Sequence, residues 1–482
     1  MIHYRAFSLF SCLAASASLL LACGDDDPAR NPPSGDAATF DTAPPILDDG
    51  GALPDSAAPP DTGTVTDASS DTGLRDGSTP PPPPPAIGPA LYPPDRTLSP
   101  ITDDVATQLR AIAARAAPDL QEDVFAKVGA SSTVSSSFMR CFAGSSVELA
   151  GRDALRPTVE HFLAGDAAGT DPYRRESVAA TVGWSAWAAL EGDPSPLEQE
   201  IAAIRPRFAL VMYGTNDIQS RDIDRYAENM LDLVDRLVGL GIVPVLYSVM
   251  PRDDDAEADL WVPRYNAVVR AVTQARQIPF VDYHRELLPL PRHGLGPDRL
   301  HASAYSGGAC VFDADGLQHG YNVRNLLSIQ TLHTLRTVLL EGGAPPDGDA
   351  PRLEGDGTAS SPFAIPFVPF VHSADTRESS EDSIDDYPGC SAAQDESGPE
   401  LVYSLVLDAP TRVRAMLFDR GDVDVDIHLL GASIEGGSCV ARDHRVVVAD
   451  LAAGTHHLVV DTFVNAGGTE LGGEYLLVVV PD

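Results

Sequence analysis

The stretch FALVMYGTND, Phe208–Asp217, joins an apolar run to a polar turn. The apolar part is too short for an ordinary helix, and it reads as a buried strand that ends at Gly214. The next segment, Asp222–Gly241, has apolar residues at helical spacing and ends in glycine. The stretch therefore predicts a strand, a tight polar turn and an amphipathic helix in succession.

The same alternation extends over residues 91–343. Further strand-like runs are VFAKV, IVPVLYSVMP and IPFVDYH, and a second helical segment is YNAVVRAVTQARQ. Strands that alternate with helices through short connections predict an α/β domain, with a parallel sheet covered by helices on both faces. Ligands bind such sheets at the carboxyl ends of the strands, so polar residues just after strands are the candidate site.

The last part of the chain has a different pattern. After a Pro/Gly/Asp-rich linker at 344–361, residues 362–482 contain short β-branched runs such as ELVYSLVL, THHLVVDTFV and GEYLLVVV, without a long helical segment. Their number and spacing predict a small all-β sandwich domain. We therefore expect two folded domains.

The amino-terminal segment resembles a bacterial lipoprotein signal. Arg5 precedes an apolar stretch that ends in Leu20-Leu21-Ala22-Cys23, so residues 1–22 are expected to be removed and Cys23 to carry lipid. An ordinary secretory signal is the alternative. Residues 23–90 are rich in Asp and Pro and predict a disordered tether. We expect an exported, membrane-anchored monomer on the periplasmic face or the cell surface.

Charge excludes one class of partner. The 482 residues include 33 basic and 70 acidic side chains, a net charge of −37, so nucleic-acid binding is not expected. Lys127 is the only lysine, and the other basic residues are arginines.

Three polar signals follow strands or turns of the α/β part: Gly129-Ala130-Ser131, Gly214-Thr215-Asn216-Asp217 and Asp298-Arg299-Leu300-His301. A serine at a strand end can act as a nucleophile, and an asparagine amide can donate to an oxyanion. An aspartate three residues before a histidine can orient the imidazole as the base. Together the three signals indicate acyl transfer.

In this order the signals resemble the blocks of the SGNH (GDSL-type) hydrolases, over about half the chain. The resemblance implies a flavodoxin-like sheet and an esterase without metal or cofactor that acts on an acylated carbohydrate or lipid. It also implies Ser131 as nucleophile, His301 as base, Asp298 as its orienting acid, and Gly183 and Asn216 with the Ser131 amide as oxyanion donors. Ser132 is the alternative nucleophile.

One position departs from the pattern of that family: Ala130 stands where it has aspartate, which questions how well the turn holds the serine. The alternative function is therefore a binding lipoprotein on a weak or inactive SGNH scaffold. A third reading assigns the function to the β-sandwich as an adhesion module. This part weakly resembles the pre-peptidase C-terminal domains of secreted bacterial enzymes.

Four cysteines remain after Cys12 and Cys23 are set aside: Cys141, Cys310, Cys390 and Cys439. An oxidising compartment makes two disulfides plausible, and four cysteines allow three pairings. Cys141 follows Ser131, and Cys310 follows His301, by similar distances. This placement suggests Cys141–Cys310, which leaves Cys390–Cys439 for the sandwich.

Overall fold

The computed structural model describes residues 88–391 and 394–482, which fall in one compact unit. The predicted signal, the candidate lipidated Cys23 and nearly all of the predicted tether lie outside these residues. Within the described part, no helix combines the length and apolar character that a membrane span needs.

A parallel sheet of four strands forms the centre of the α/β part. The strands lie side by side in chain order: β1 Gln121–Gly129, β2 Pro206–Met212, β3 Val243–Tyr247 and β4 Phe280–Val281. A further segment makes a parallel bridge on the free side of β1, between Ala180 and Gly129. With that segment counted, the chain order across the sheet is 2-1-3-4-5, the flavodoxin-like arrangement, which confirms the predicted fold class.

Helices flank the sheet. They are α1 Asp103–Ala113, α2 Ser131–Val134, α3 Arg156–Leu163, α4 Pro196–Ile204, α5 Ile223–Gly239, α6 Ala256–Asp259, α7 Val262–Arg276, α8 Tyr283–Leu287 and α9 Gly320–Leu335, followed by a π-helical turn at Arg336–Leu340. Local sequence explains their starts. The Asp222 carboxylate accepts from the Arg225 amide at the start of α5, and Ser195 and Glu198 form a capping box on α4.

The C-terminal part is a two-layered β structure. One sheet has the order β10-β9-β12-β7-β5 and the other β11-β8-β13-β6. The strands are β5 Phe363–Ile365, β6 Phe370–Asp375, β7 Leu401–Leu407, β8 Thr411–Phe418, β9 Val425–Leu430, β10 Cys439–Asp443, β11 Val446–Leu451, β12 Gly454–Thr462 and β13 Glu474–Pro481. All pairs are antiparallel except β5 with β7. Side chains of both sheets form one apolar cluster, as a sandwich requires.

Helix α7 connects the α/β part to the sandwich. It contacts β6 and β13, and most of its residues are buried, so it is covered by the central sheet on one side and by the sandwich on the other. The Gln274 amide donates to the Val371 carbonyl at 2.7 Å, and Arg276 bonds to both Asp235 and Glu474. The apolar core of the α/β part also includes Val371 and other side chains of the sandwich.

This packing predicts that the α/β part loses stability when the chain is cut before the linker at 344–361 and the sandwich is removed. A chain that stops at residue 343 leaves the outer face of α7 bare, so its melting temperature should be lower by roughly 5–10 °C, the effect of losing a few kcal/mol. The measurement is thermal unfolding beside a control chain of residues 88–482. Equal melting temperatures would show that the α/β part is stable without the sandwich.

Candidate active site

The candidate nucleophile lies at the carboxyl end of β1. The strand ends at Gly129, Ala130 precedes the helix, and Ser131 is the first residue of the one-turn helix α2. A Cβ atom at Gly129 would lie 2.6 Å from the Met212 carbonyl oxygen on the neighbouring strand, so this turn requires glycine. The local sequence thereby places a serine hydroxyl at the sheet edge where ligands bind.

Three side chains form a continuous line of hydrogen bonds. The Nε2 atom of His301 lies 2.8 Å from the Ser131 hydroxyl, and its Nδ1 atom lies 2.7 Å from a carboxylate oxygen of Asp298. Because an ionised carboxylate can only accept, the ring proton lies on Nδ1, which donates to Asp298. The Nε2 atom is then free to accept a hydrogen bond from the serine hydroxyl. The arrangement suits Ser131 for attack and His301 for proton transfer.

Asp298 is held in its charged form. Burial opposes ionisation, but hydrogen bonds from the His301 side chain and from the His301 and Leu300 amides outweigh it and lower the pKa of the carboxyl group. The loop is closed on itself, since the Gly296 amide donates to the His301 carbonyl at 2.7 Å. A charged Asp298 on a fixed loop can orient the imidazole and stabilise its protonated form.

Disulfides join Cys141 to Cys310 and Cys390 to Cys439, which are the pairs expected from position. The first links the segment after the candidate nucleophile to the segment after His301, with 5.5 Å between the Cα atoms. Two backbone bonds lie beside it, from the Glu148 amide to the Cys310 carbonyl and from the Phe312 amide to the Glu148 carbonyl. The two halves of the site are therefore fastened together covalently and by backbone pairing.

Asn216 lies in the turn after β2, and its side-chain amide donates to the Trp184 carbonyl at 2.8 Å. Since a carboxamide has two N–H groups, one remains for a ligand. Trp184 follows Gly183, whose φ of +82° lies in the left-handed region that favours glycine. Among the described residues, the Gly183 and Ser131 amides donate to no protein acceptor. Three N–H donors are thus free in the segments that surround Ser131.

Asp217 fixes the two loops that carry these donors. Its carboxylate accepts from the Ala186 amide at 2.9 Å and from the Gly214 amide at 3.0 Å. Burial raises the pKa of this carboxyl to about 6, although the amide bonds oppose the shift. The sequence signal at 214–217 marked this residue only as part of the turn. The structure shows that it joins the Asn216 turn to the segment after Gly183.

Arg324 is a further residue of the site that no sequence signal identified. It is fully buried in α9, and its guanidinium donates to the Ser132 carbonyl at 2.8 Å and to the Thr133 hydroxyl at 3.2 Å. Ala130, in contrast, is buried in the apolar core. Arg324 therefore stabilises helix α2 by hydrogen bonds. Ala130, just before that helix, supplies no polar side chain that could do so.

The side of the site at His301 is open. A cleft of about 500 Å³ is lined by residues of the histidine loop, together with Arg292 and His319. Ser131 is half-buried and Ser132 is buried, so Ser131 is the more accessible of the two candidate nucleophiles. A leaving group that takes a proton from His301 would lie in this cleft.

Comparison with known proteins relates part of the chain to one family. Residues 143–305 match the family described as "GDSL-like Lipase/Acylhydrolase family". The matched range includes Gly183, Asn216, Asp298 and His301, and it begins after Ser131. This part of the chain is similar to that family, and the protein is a hydrolase of ester bonds. No curated protein matches the chain.

Solved structures similar to this chain include three hydrolases. A GDSL-like lipase from Bacteroides thetaiotaomicron is 17% identical and covers 47% of this chain and 98% of its own, with a TM-score of 0.28. An acetylxylan esterase from Geobacillus stearothermophilus, a catalytic mutant, is 14% identical and covers 43% and 93%, also at 0.28. A putative acylhydrolase from Bacteroides fragilis is 18% identical and covers 48% and 95%, again at 0.28.

The geometry at Asn216 predicts a defined kinetic defect. Asn216→Ala removes a donor that would strengthen its bond as negative charge develops, so kcat should fall about 10²–10³-fold with little change in KM. Steady-state kinetics on a p-nitrophenyl ester provide the measurement. Gln219→Ala, in the same turn, is the matched control. An unchanged kcat in the Asn216 variant would remove this amide from the site.

Proposed function

We propose that the protein is an exported, lipid-anchored serine esterase that cleaves carboxylic esters through an acyl-enzyme at Ser131. The observation that carries the proposal is the line of hydrogen bonds from Ser131 through His301 to Asp298. It spans 170 residues of sequence, and each member has the partner that its role requires.

The first half of the reaction forms the acyl-enzyme. His301 accepts the Ser131 proton at Nε2 while the serine oxygen attacks the ester carbonyl carbon. The carbonyl oxygen becomes negative and accepts hydrogen bonds from the Ser131 and Gly183 amides and from the Asn216 side chain. As the intermediate collapses, His301 gives its proton to the departing alcohol, which leaves through the open cleft beside it.

Water completes the cycle. His301 takes a proton from a water molecule, the resulting hydroxide attacks the acyl carbon, and Ser131 departs with the proton from His301. Asp298 stays ionised throughout, which the hydrogen bonds that lower the pKa of its carboxyl favour. Side chains and amides of the chain carry each step, so the proposal includes no metal or cofactor.

The rival proposal, an inactive binding scaffold, rests on Ala130 in place of the aspartate of the SGNH family. Loss of that carboxylate would matter if the turn depended on it. Here the Arg324 guanidinium bonds to the carbonyl of Ser132, and the Ser131 hydroxyl keeps its contact with His301. These contacts support the esterase over the scaffold. An acylated carbohydrate or lipid remains the proposed substrate class.

The two disulfides are consistent with export to an oxidising compartment. The Leu20-Leu21-Ala22-Cys23 motif supports anchoring through lipid on Cys23. In this proposal residues 23–90 connect the lipid on Cys23 to the α/β part and the sandwich, and both parts act at the membrane surface.

Activity on a short-chain p-nitrophenyl ester tests the catalytic proposal. Ser131→Ala should lower kcat by several orders of magnitude, because it removes the hydroxyl that His301 contacts, and its melting temperature should be unchanged within a few degrees. Ser132→Ala is the matched control and should keep most of the activity. Full turnover in the Ser131 variant would contradict the assignment, and such turnover together with its loss in the Ser132 variant would point to Ser132.

The anchor has a separate test in a bacterial host that processes lipoproteins. Cys23→Ser should prevent lipidation, so the protein should remain unprocessed or appear in the soluble fraction. Mass spectrometry of the mature amino terminus and membrane fractionation are the measurements, with Cys12→Ser as control. An unmodified mature terminus at another residue in the parent protein would overturn the lipoprotein proposal.

A further inference from the structure

A second cavity, of about 360 Å³, lies beside the helix of the candidate nucleophile. Its wall includes Lys127 of β1, residues 133–136 at the end of α2 and just beyond it, and Ala180 in the segment that leads to Gly183. It shares no lining residue with the cleft at His301. The cavity therefore lies apart from that cleft, beside the segment that follows Ser131 and the segment that precedes Gly183.

Lys127, the only lysine of the chain, is buried in the wall of this cavity with 8% of its surface exposed. Its ammonium donates to the Tyr173 carbonyl at 3.0 Å, and among the described residues no carboxylate lies within 4.0 Å of it. An ammonium has three N–H donors, so two lack a protein acceptor. A buried charge that no carboxylate contacts directly is costly, and an anion in the cavity would lower that cost.

Burial, and after it the charge of Arg140, lower the pKa of the Lys127 ammonium to about 8, against the attraction of the more distant Glu200, Asp171 and Glu176 carboxylates. The group is therefore still mostly protonated at pH 7. The net charge of the chain is −37, which repels free anions in general. The protonated Lys127 supplies a local positive charge that can attract one.

The other charges at the cavity are largely paired. Arg175 makes two hydrogen bonds to Glu200, at 3.0 and 2.8 Å, and Arg174 bonds to Asp171 at 2.5 Å. Arg140 faces Glu176 at 3.4 Å between exposed side chains, which is a weak pairing. Four cations thus meet three carboxylates, and the unmatched charge is the buried ammonium.

We propose that this cavity binds an anionic oxygen group of the ester substrate, a carboxylate or a phosphate, through Lys127 with help from Arg140. The proposal rests on the proposed esterase function. The cavity lies beside the segments that carry the Ser131 and Gly183 amides, while in the proposed mechanism the departing alcohol leaves through the cleft at His301. The acyl part of the substrate therefore carries the anion.

Matched esters test the proposal. p-Nitrophenyl hemisuccinate has a carboxylate on an acyl chain of the same length as that of neutral p-nitrophenyl butyrate. The parent protein should prefer the anionic ester in kcat/KM, and Lys127→Met should lower this preference about tenfold or more, as expected for a lost charged hydrogen bond. Arg140→Met should lower it less. Arg115→Met, which removes an exposed positive charge before β1, is the matched control.

A second pair, 4-acetoxybenzoate and phenyl acetate, carries the anion on the alcohol side. Sensitivity of this pair to Lys127→Met, with no sensitivity of the hemisuccinate pair, would contradict the assignment to the acyl part. A folded Lys127→Met protein that keeps the full hemisuccinate preference would overturn the proposal. If the Lys127 variant does not fold, a folded Arg140→Met protein that keeps the full hemisuccinate preference would overturn the proposal instead.

Direct binding separates this proposal from the esterase function. Inorganic phosphate should raise the melting temperature of the Ser131→Ala protein, and the added change Lys127→Met or Arg140→Met should reduce that rise. This readout needs no turnover, so a chain without esterase activity can still show the anion site. Absence of both phosphate stabilisation and anionic preference in a folded, active parent would overturn the proposal.

Discussion

The hydrogen bond between His301 Nε2 and the Ser131 hydroxyl, 2.8 Å long, is the contact on which the rest of the site depends. Local sequence cannot bring the two residues together, because 170 positions separate them. The parallel sheet places the serine at the edge where the carboxyl ends of its strands lie, and the loop closed between Gly296 and His301 places the histidine against it. β1 presents the serine there, and β2 presents Asn216 beside it.

Keeping these groups in register is the task of contacts outside the triad. The Cys141–Cys310 disulfide fastens the serine side to the histidine side, Asp217 joins the Asn216 turn to the segment after Gly183, and Arg324 supports α2. A displacement of about 1 Å in a reacting group can cost much of the rate. We infer that these contacts restrict such displacement.

Sequence predicted those parts of the structure that have a local signature. Asn216 was identified because it follows an apolar strand, and Asp298 and His301 because of their spacing in a turn. The cysteine pairs followed from position. Other features depend on partners up to about 190 residues away, and no local pattern records such contacts. These features are the contacts of Arg324, the hydrogen bonds that the Asp217 carboxylate accepts from two loops, and the burial of α7. Lys127 interrupts an apolar strand, but the cavity that it lines only exists in the folded chain.

The central claim is that Ser131 is a nucleophile activated by His301, and covalent trapping tests it most directly. A p-nitrophenyl phosphonate ester should release one equivalent of p-nitrophenol per protein, and peptide mapping should locate the phosphonyl group on Ser131. Labelling should slow by orders of magnitude in His301→Ala, because the serine then lacks its base. An adduct on Ser132, or no adduct at all with the folded protein, would contradict the account.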